Sequence, residues 1–599
     1  MLCLHGQGPT FVVRIFSLHV LRSLVVLVGF MWIVCMPLRG QNLDAIGKGD
    51  AFSLSGGVSV NQIVYAMSGM EQRRQPYSFY ASGSLSMSLY GWSVPLSFSY
   101  SNQQFSFQQP FNQYSLHPTY KWITGHFGFN SMSFSPYTLA GHTFLGAGID
   151  ATPGNWNISA MYGRLLKAVV PDSAAGTEND AAFQRMGYGF KAGYTQSGHQ
   201  LQLIVFAAED DPTSIPVIPE TNELLPQQNL VVSLGGATQL FSSLTLNAEY
   251  AISGITRDLR SPEATGNNAY SFFSIWGPVY TQRVTSAYYD AFKSGLTYQA
   301  KSFSVGAAYE RIDPGYRTLG AYYFNNDLEN ITLNGATAFW GGRINVSANV
   351  GRQRDDLNEE KTSSLRRTVG SVNVGIAASE RVNISGSYSN FTTFTNIRSQ
   401  FVDINQLTPF DNLDTLNFTQ ISQNASLNAS FVLSAAQERR QNLSVSMSFQ
   451  DAADEQGGVR QASGSQFYTA NAAYSLSLPA QNLNGSAAMN YNQNISGETT
   501  TITLGPTVSA STSFFEKQLR ASLSTSWNAS ISDSELLSPV FNVRGNASYT
   551  LLEKHNLNLS LAVVNRSGGT EGGAQTFSEF TGTLGYSYNF SWTPQFKKN

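Results

Sequence analysis

Residues 84–100 read Ser84-Leu85-Ser86-Met87-Ser88-Leu89-Tyr90-Gly91-Trp92-Ser93-Val94-Pro95-Leu96-Ser97-Phe98-Ser99-Tyr100. Leu85, Met87 and Leu89 alternate with serines, Gly91-Trp92-Ser93 turns the chain, and Val94, Leu96, Phe98 and Tyr100 alternate with Pro95, Ser97 and Ser99. A period of two is the signature of a strand with unlike faces. Here one face is apolar and the other hydroxylic. The same device recurs in 443–449, 541–551 and 557–563, and the alternating segments between 52 and 592 are about 10 to 14 residues long, more than soluble strands usually need.

Soluble sandwiches also alternate, so the period alone leaves two architectures open. The chemistry of the polar face separates them. It is built from Ser, Asn, Thr and Gln rather than the Lys and Glu of a solvated sheet, and only 13% of the 599 residues are charged, against 42% apolar and 12% aromatic. That face suits an aqueous lumen, the apolar one suits lipid, and closure removes unpaired backbone from hydrocarbon. The expected fold is all-β: a transmembrane antiparallel up-and-down barrel occupying 51–592. Disorder is excluded by 28 Tyr, 38 Phe and 8 Trp, and a helical membrane protein by the lack of long apolar runs after the N-terminus.

The apolar run 24–36, preceded by Arg14 and Arg22 without an acid, reads as a signal peptide spanning 1–40. A short periplasmic segment, 41–50, follows, and 593–599 forms a tail. The exported chain then carries 33 basic and 39 acidic residues, which excludes a nucleic-acid binder. Cys3 and Cys35 both fall in the leader, so the exported part has neither a disulfide nor a thiolate metal site.

Connections alternate in length. The short ones, 378–381, 437–440, 515–518 and 552–555, share charged residues and are expected in the periplasm; the long ones, including 169–183, 209–227, 254–284 and 395–414, are expected outside. Two stretches break the alternation, 103–141 and 313–328, and each must hold either no spanning strand or two. The count is then about 24 to 26, and 24 strands would make a barrel roughly 48 Å across, too wide to stand open. Trp92, Trp156 and Trp340 fall beside short turns, and Trp592 closes the last strand, as members of an interfacial girdle.

The final segment 583–592 alternates with aromatic residues to its end. It resembles the terminal strand recognised by bacterial barrel-assembly machinery, although here the chain runs on to Asn599. With the size and the alternating strands, the chain resembles the large outer-membrane β-barrels of Gram-negative bacteria, of the Bacteroidota type. The resemblance is architectural; it implies localisation in the outer membrane, contact with its lipid and lipopolysaccharide, and insertion by the assembly machinery.

Two aromatic-rich segments are candidates for specific roles. In 103–141, His117, Tyr120, Lys121, Trp122, His126 and Phe127 form either a lumenal constriction or part of two further wall strands. In 254–284, Tyr270, Phe272, Phe273, Trp276 and Tyr280 either bind a ligand at the exterior or pack the loop onto the barrel rim. No catalytic site is expected: His117, His126 and His142 match no compact metal motif, His199 and His555 lie near turns, and no cofactor is implied. Acid clusters such as 209–211 lack the calcium-loop spacing. With only about ten residues before the first strand, no separate plug domain is expected. The leading reading is a pore or transport conduit for polar solutes or an exported polypeptide, plugged or gated by loops; the alternative is a structural barrel that docks a periplasmic or surface protein.

Overall fold

The computed structural model describes residues 52–593 apart from 103–112, 171–180, 216–223, 265–269, 361–365, 391–419, 457–458, 461–463, 498, 533–534 and 568–575. The expected leader 1–40, the 41–50 segment and nearly all of the tail lie outside the described residues.

Each strand pairs antiparallel with its sequence neighbour, from Phe52–Ser68 with Tyr77–Leu89 round to His555–Arg566 with Phe577–Trp592. The first and last strands then pair with each other, from Leu54↔Trp592 to Ser68↔Ser578, and close the sheet. One wall position is composite: Gln113–Leu116 and Thr119–Tyr120 lie end to end between Trp92–Ser101 and Ile123–Ser133. Val459–Arg460 only lengthens the hairpin at the tip of Arg440–Gln456. The wall therefore has 26 strands, an even number that brings both termini to the same end. Spaced about 4.8 Å apart and tilted about 40°, they would make a circular barrel about 52 Å across.

The two irregular stretches differ. The 103–141 stretch contributes two wall strands, the composite one and Ile123–Ser133, while 313–327 contributes none. Sequence period could not decide this, because His117-Pro118 interrupts the first of these strands and leaves pieces of four and two residues.

The two faces separate as the alternation requires. Outward side chains stay exposed along the strands, among them Leu201, Leu203, Leu234, Val508 and Leu523. Inward ones form cross-strand hydroxyl and amide pairs: Ser59 with Ser82 at 2.8 Å, Ser97 with Ser115 at 2.6 Å, Asn471 with Asn490 at 2.6 Å and Ser486 with Ser509 at 2.7 Å. Trp92, Trp156, Trp340 and Trp592 are all exposed at the short-turn end. There Trp92 stacks on Tyr120, Trp156 meets Tyr194, and Trp592 meets Phe52 across the closing seam.

Glycine is required where neighbouring backbones approach closely. A Cβ on Gly146 would lie 2.1 Å from the Tyr162 carbonyl oxygen and 2.5 Å from the Gly163 Cα, whereas one on Gly375 would meet nothing. Gly146→Ser is expected to reduce the yield of folded, heat-modifiable barrel by breaking the pairing of Ala140–Ala151 with Trp156–Leu166. Gly375→Ser should fold like the parent on the same gels, and equal behaviour of the two would refute this packing.

Candidate functional site

Among the described residues the lumen is filled from one side. Segments 134–139 and 313–327 fold inward together and rest on the inner wall from Ile123–Ser133 round to Phe303–Ile312. The wall beneath is apolar there rather than hydroxylic. Met132, Phe144, Met161, Leu165, Ile204 and Phe206 enclose Phe134, Leu139 and Leu319, all nearly or fully buried. Beside them Val231, Ala251, Ala291 and Ile312 receive Tyr137 and Tyr316. Burying each such large side chain stabilises the plug by about 1.5–3 kcal/mol.

Polar contacts set the position of this layer. The Tyr316 hydroxyl donates to the Tyr137 carbonyl at 2.9 Å, the Thr318 hydroxyl to the Thr138 carbonyl at 2.6 Å, and the Ala140 N–H to the Gly320 carbonyl at 2.9 Å. Three wall residues hold it from below. Asn229 accepts the Leu319 N–H at 3.0 Å, Ser253 donates to the Arg317 carbonyl at 2.6 Å, and Glu310 accepts the Tyr137 hydroxyl at 2.6 Å. Gly320 is required here as well, since a Cβ would lie 2.7 Å from the Thr138 carbonyl oxygen and 2.8 Å from the Phe206 ring.

The plugged side also carries paired charges. Glu249, Lys293 and Glu310 stand opposite one another on three adjacent strands, and the Arg185–Asp210 pair, 2.7 Å apart and largely buried, lies near Arg317. Burial raises the Tyr137 hydroxyl well above its ordinary value, and the Glu310 carboxylate pushes it the same way. Burial likewise raises Tyr316, so both hydroxyls keep the protons they donate across the neutral range.

From Leu328–Phe339 round to Glu535–Leu551, by contrast, hardly any described side chain is buried; Val369 and Asp451 are the main exceptions. The inner surface there is a field of Ser, Asn and Thr. Toward the short turns it includes a hollow lined by Asn61, Ser511, Lys517, Arg520, Asn546 and Ser548.

The residues expected at a constriction are placed differently. Lys121 and Trp122 form a short turn, with Lys121 5.1 Å above the ring of Tyr120, and Tyr120 stacks on Trp92 at 4.9 Å. Phe127 pairs with Leu116 and is exposed on the outer face. Of the two alternatives left open for 103–141, this set belongs to the wall strands and their turn, while the lumenal filling comes from 134–139 of the same segment and from the strandless 313–327. Only His117 and His126 of the set face inward, their Nδ1 atoms 3.0 Å apart.

The 257–285 connection folds back over the outer wall. Its helical turn, Ser271–Ser274, inserts Phe273 against Ala207 and Leu230, where it is fully buried above Gly254. Tyr280, also buried, shares a 3.1 Å hydrogen bond with Thr256, and Tyr188 on the wall donates to the Val279 carbonyl at 3.0 Å. Phe272 and Trp276 are half-buried against the same cluster, while Tyr270 is exposed and stacks on Tyr288 at 4.9 Å. Of the five candidate aromatics, Phe273 and Tyr280 thus take the second of the two expected roles and hold the loop to the wall. Ile275 on the same turn is 73% exposed.

No protein-family model matches the chain, and no curated protein is similar to it. Among solved structures, the chain is similar to Acinetobacter baumannii OccAB2 at 10% identity, over 90% of this chain and 98% of that one, with a TM-score of 0.27. It is also similar to the P pilus usher (PapC) translocation pore, at 10% identity over 90% and 100% of the two chains, TM-score 0.38. Pseudomonas aeruginosa OccK1 (OpdK) gives 9% identity over 90% and 99%, TM-score 0.29. At that distance the likeness adds nothing to what the strand pairing already establishes.

The paired substitution Asn229→Ala, Ser253→Ala removes the wall's hold on the Arg317–Leu319 backbone, at about 0.5–1.5 kcal/mol per hydrogen bond. Trypsin is expected to cut after Arg317 in this variant and to spare that bond in the parent. Phe273→Ala should cost about 3–5 kcal/mol of local stability and open the outer loop to cleavage at Arg260 and Arg283. An unchanged digest would mean that the loop is held by something other than Phe273.

Proposed function

We propose that the chain is a non-enzymatic outer-membrane conduit for polar solutes, which pass between the one-sided plug and the uncovered polar wall. The observation that carries this reading is the asymmetry of the lumen. An apolar layer is fixed on one run of strands, while among the described residues nothing covers the serines and asparagines of the remaining strands. A barrel serving only as a rigid dock has no need of so large a polar inner surface. Polar solutes suit this lumen better than an exported polypeptide because the plug narrows it. Uncharged Ser, Asn and Thr offer exchangeable hydrogen bonds without a strong field, so selectivity between cations and anions should be weak.

In this reading the 1–40 leader exports the chain of a Gram-negative cell, the assembly machinery engages the terminal strand, and the exposed tryptophans sit at the inner lipid interface. The outward apolar strands and the folded-back 257–285 loop face lipid and lipopolysaccharide.

Single-channel recording of the refolded 41–599 chain in a planar bilayer tests the proposal. Discrete steps are expected in the intact protein, with reversal potentials near zero under a salt gradient. Replacing 316–324 by a short Gly-Ser linker should enlarge the steps. Silence in both proteins, with folding confirmed by heat-modifiable mobility, would overturn the conduit and leave the docking barrel.

A further inference from the structure

We propose that His117 and His126 form a lumenal binding site for one divalent transition-metal ion of borderline softness, such as Cu²⁺, Ni²⁺ or Zn²⁺, with coordination positions left open to the lumen. Among the described residues no three His, Cys, Asp or Glu side chains converge on a point, so the site is a pair and not a cage.

The two Nδ1 atoms face each other at 3.0 Å, with the rings nearly perpendicular at 76°. Two imidazole nitrogens held about 2.0–2.1 Å from one ion lie about 2.9 Å apart at a right angle and about 3.3 Å apart at the tetrahedral angle. The observed separation falls between these values. An ion can therefore enter with a small rotation of one ring, moving the rings apart by no more than a few tenths of an ångström.

The far nitrogen of His126 is fixed. Its Nε2 lies 2.8 Å from Asp150 Oδ2, and the Ser159 hydroxyl donates to Asp150 Oδ1 at 2.5 Å. A carboxylate on Nε2 holds the proton there and leaves the Nδ1 lone pair directed at His117. This carboxylate–imidazole arrangement is the support that metal-bound histidines ordinarily have. In the ion-free protein the His117 Nδ1–H fills the position by donating to His126. On binding, that proton moves to Nε2 of His117 and the imidazole stays neutral.

The position in the wall suits an ion that exchanges. His117 lies in the break between Gln113–Leu116 and Thr119–Tyr120, where Pro118 keeps it extended and its N–H donates to the Pro95 carbonyl at 2.9 Å. His126 is 16% exposed and Asp150 45% exposed, so water reaches the pair from the lumen. The remaining described histidines are engaged singly: His142 stacks on Tyr322, His199 bonds Thr238 and His555 bonds Tyr586.

The test uses the untagged 41–599 chain, folded in detergent at pH 7.5 and titrated with CuCl₂ by calorimetry and electron paramagnetic resonance, with NiCl₂ in a parallel titration. One saturable Cu²⁺ site per chain is expected, with hyperfine structure from two imidazole nitrogens. His126→Gln should remove the second nitrogen and weaken binding at least tenfold. Asp150→Asn should weaken it roughly ten- to a hundredfold while keeping both nitrogens. His199→Gln should leave the site as it is. His117→Gln provides the same test as His126→Gln if the latter does not fold. No saturable site below about 1 mM, a spectrum with a single nitrogen in the parent, or equal binding by the parent and a folded His117 or His126 variant would each overturn the proposal. None of these readouts depends on conduction, so failure of the conduit reading and failure of the metal site remain separable.

Discussion

The pairing of Phe52–Ser68 with Phe577–Trp592 is the contact on which the rest of the molecule depends. In hydrocarbon an unpaired backbone N–H or C=O finds no water, and each costs several kcal/mol. A 26-strand ribbon left open would expose two such edges along their full length. Closing the seam satisfies both and forces the inward and outward faces into different media. It also makes strand number a parity condition, since both termini must reach the same end. That condition is met by the composite strand around His117-Pro118 and by the absence of any strand in 313–327.

Closure at this size creates a second requirement. A ring of 26 strands encloses more space than its own wall side chains can fill, so the interior must be occupied or left to water. Both solutions occur in this barrel. On one side the wall changes from hydroxyl to hydrocarbon, with Phe144, Met161, Ile204 and Phe206 turned inward, and two connections supply the complementary layer. On the other, Ser and Asn side chains bond across strands, and among the described residues no such layer covers them. The 257–285 loop shows the same pairing of like surfaces on the outside, where Phe273 covers Ala207 and Leu230 beside Gly254.

The arrangement places polar chemistry at the boundary between filled and unfilled lumen. Glu310 and Ser253 spend their hydrogen bonds on the plug. Asp150 and Ser159, nearer the short turns, instead hold the ring of His126. Each is an inward residue on the same run of strands, and what differs is whether a loop reaches down to cover it.

Alternation in 84–100 and its repeats determined the strands, their two faces and the barrel, because a period of two is a local property that each segment carries alone. Loop lengths likewise determined which connections share an end, and the tryptophans at short turns followed from the same count. Tertiary structure alone decided what fills the lumen. Phe134 and Tyr137 lie some 180 residues from Tyr316 and Leu319 and meet them only because the wall curves between them, while residues 113–133 of the same aromatic-rich segment are spent on strands and a turn. Tertiary structure also decided the pairing of His117 with His126 and the carboxylate behind it. Register across a broken strand sets that geometry, and register depends on the partner strand rather than on the spacing of histidines along the chain.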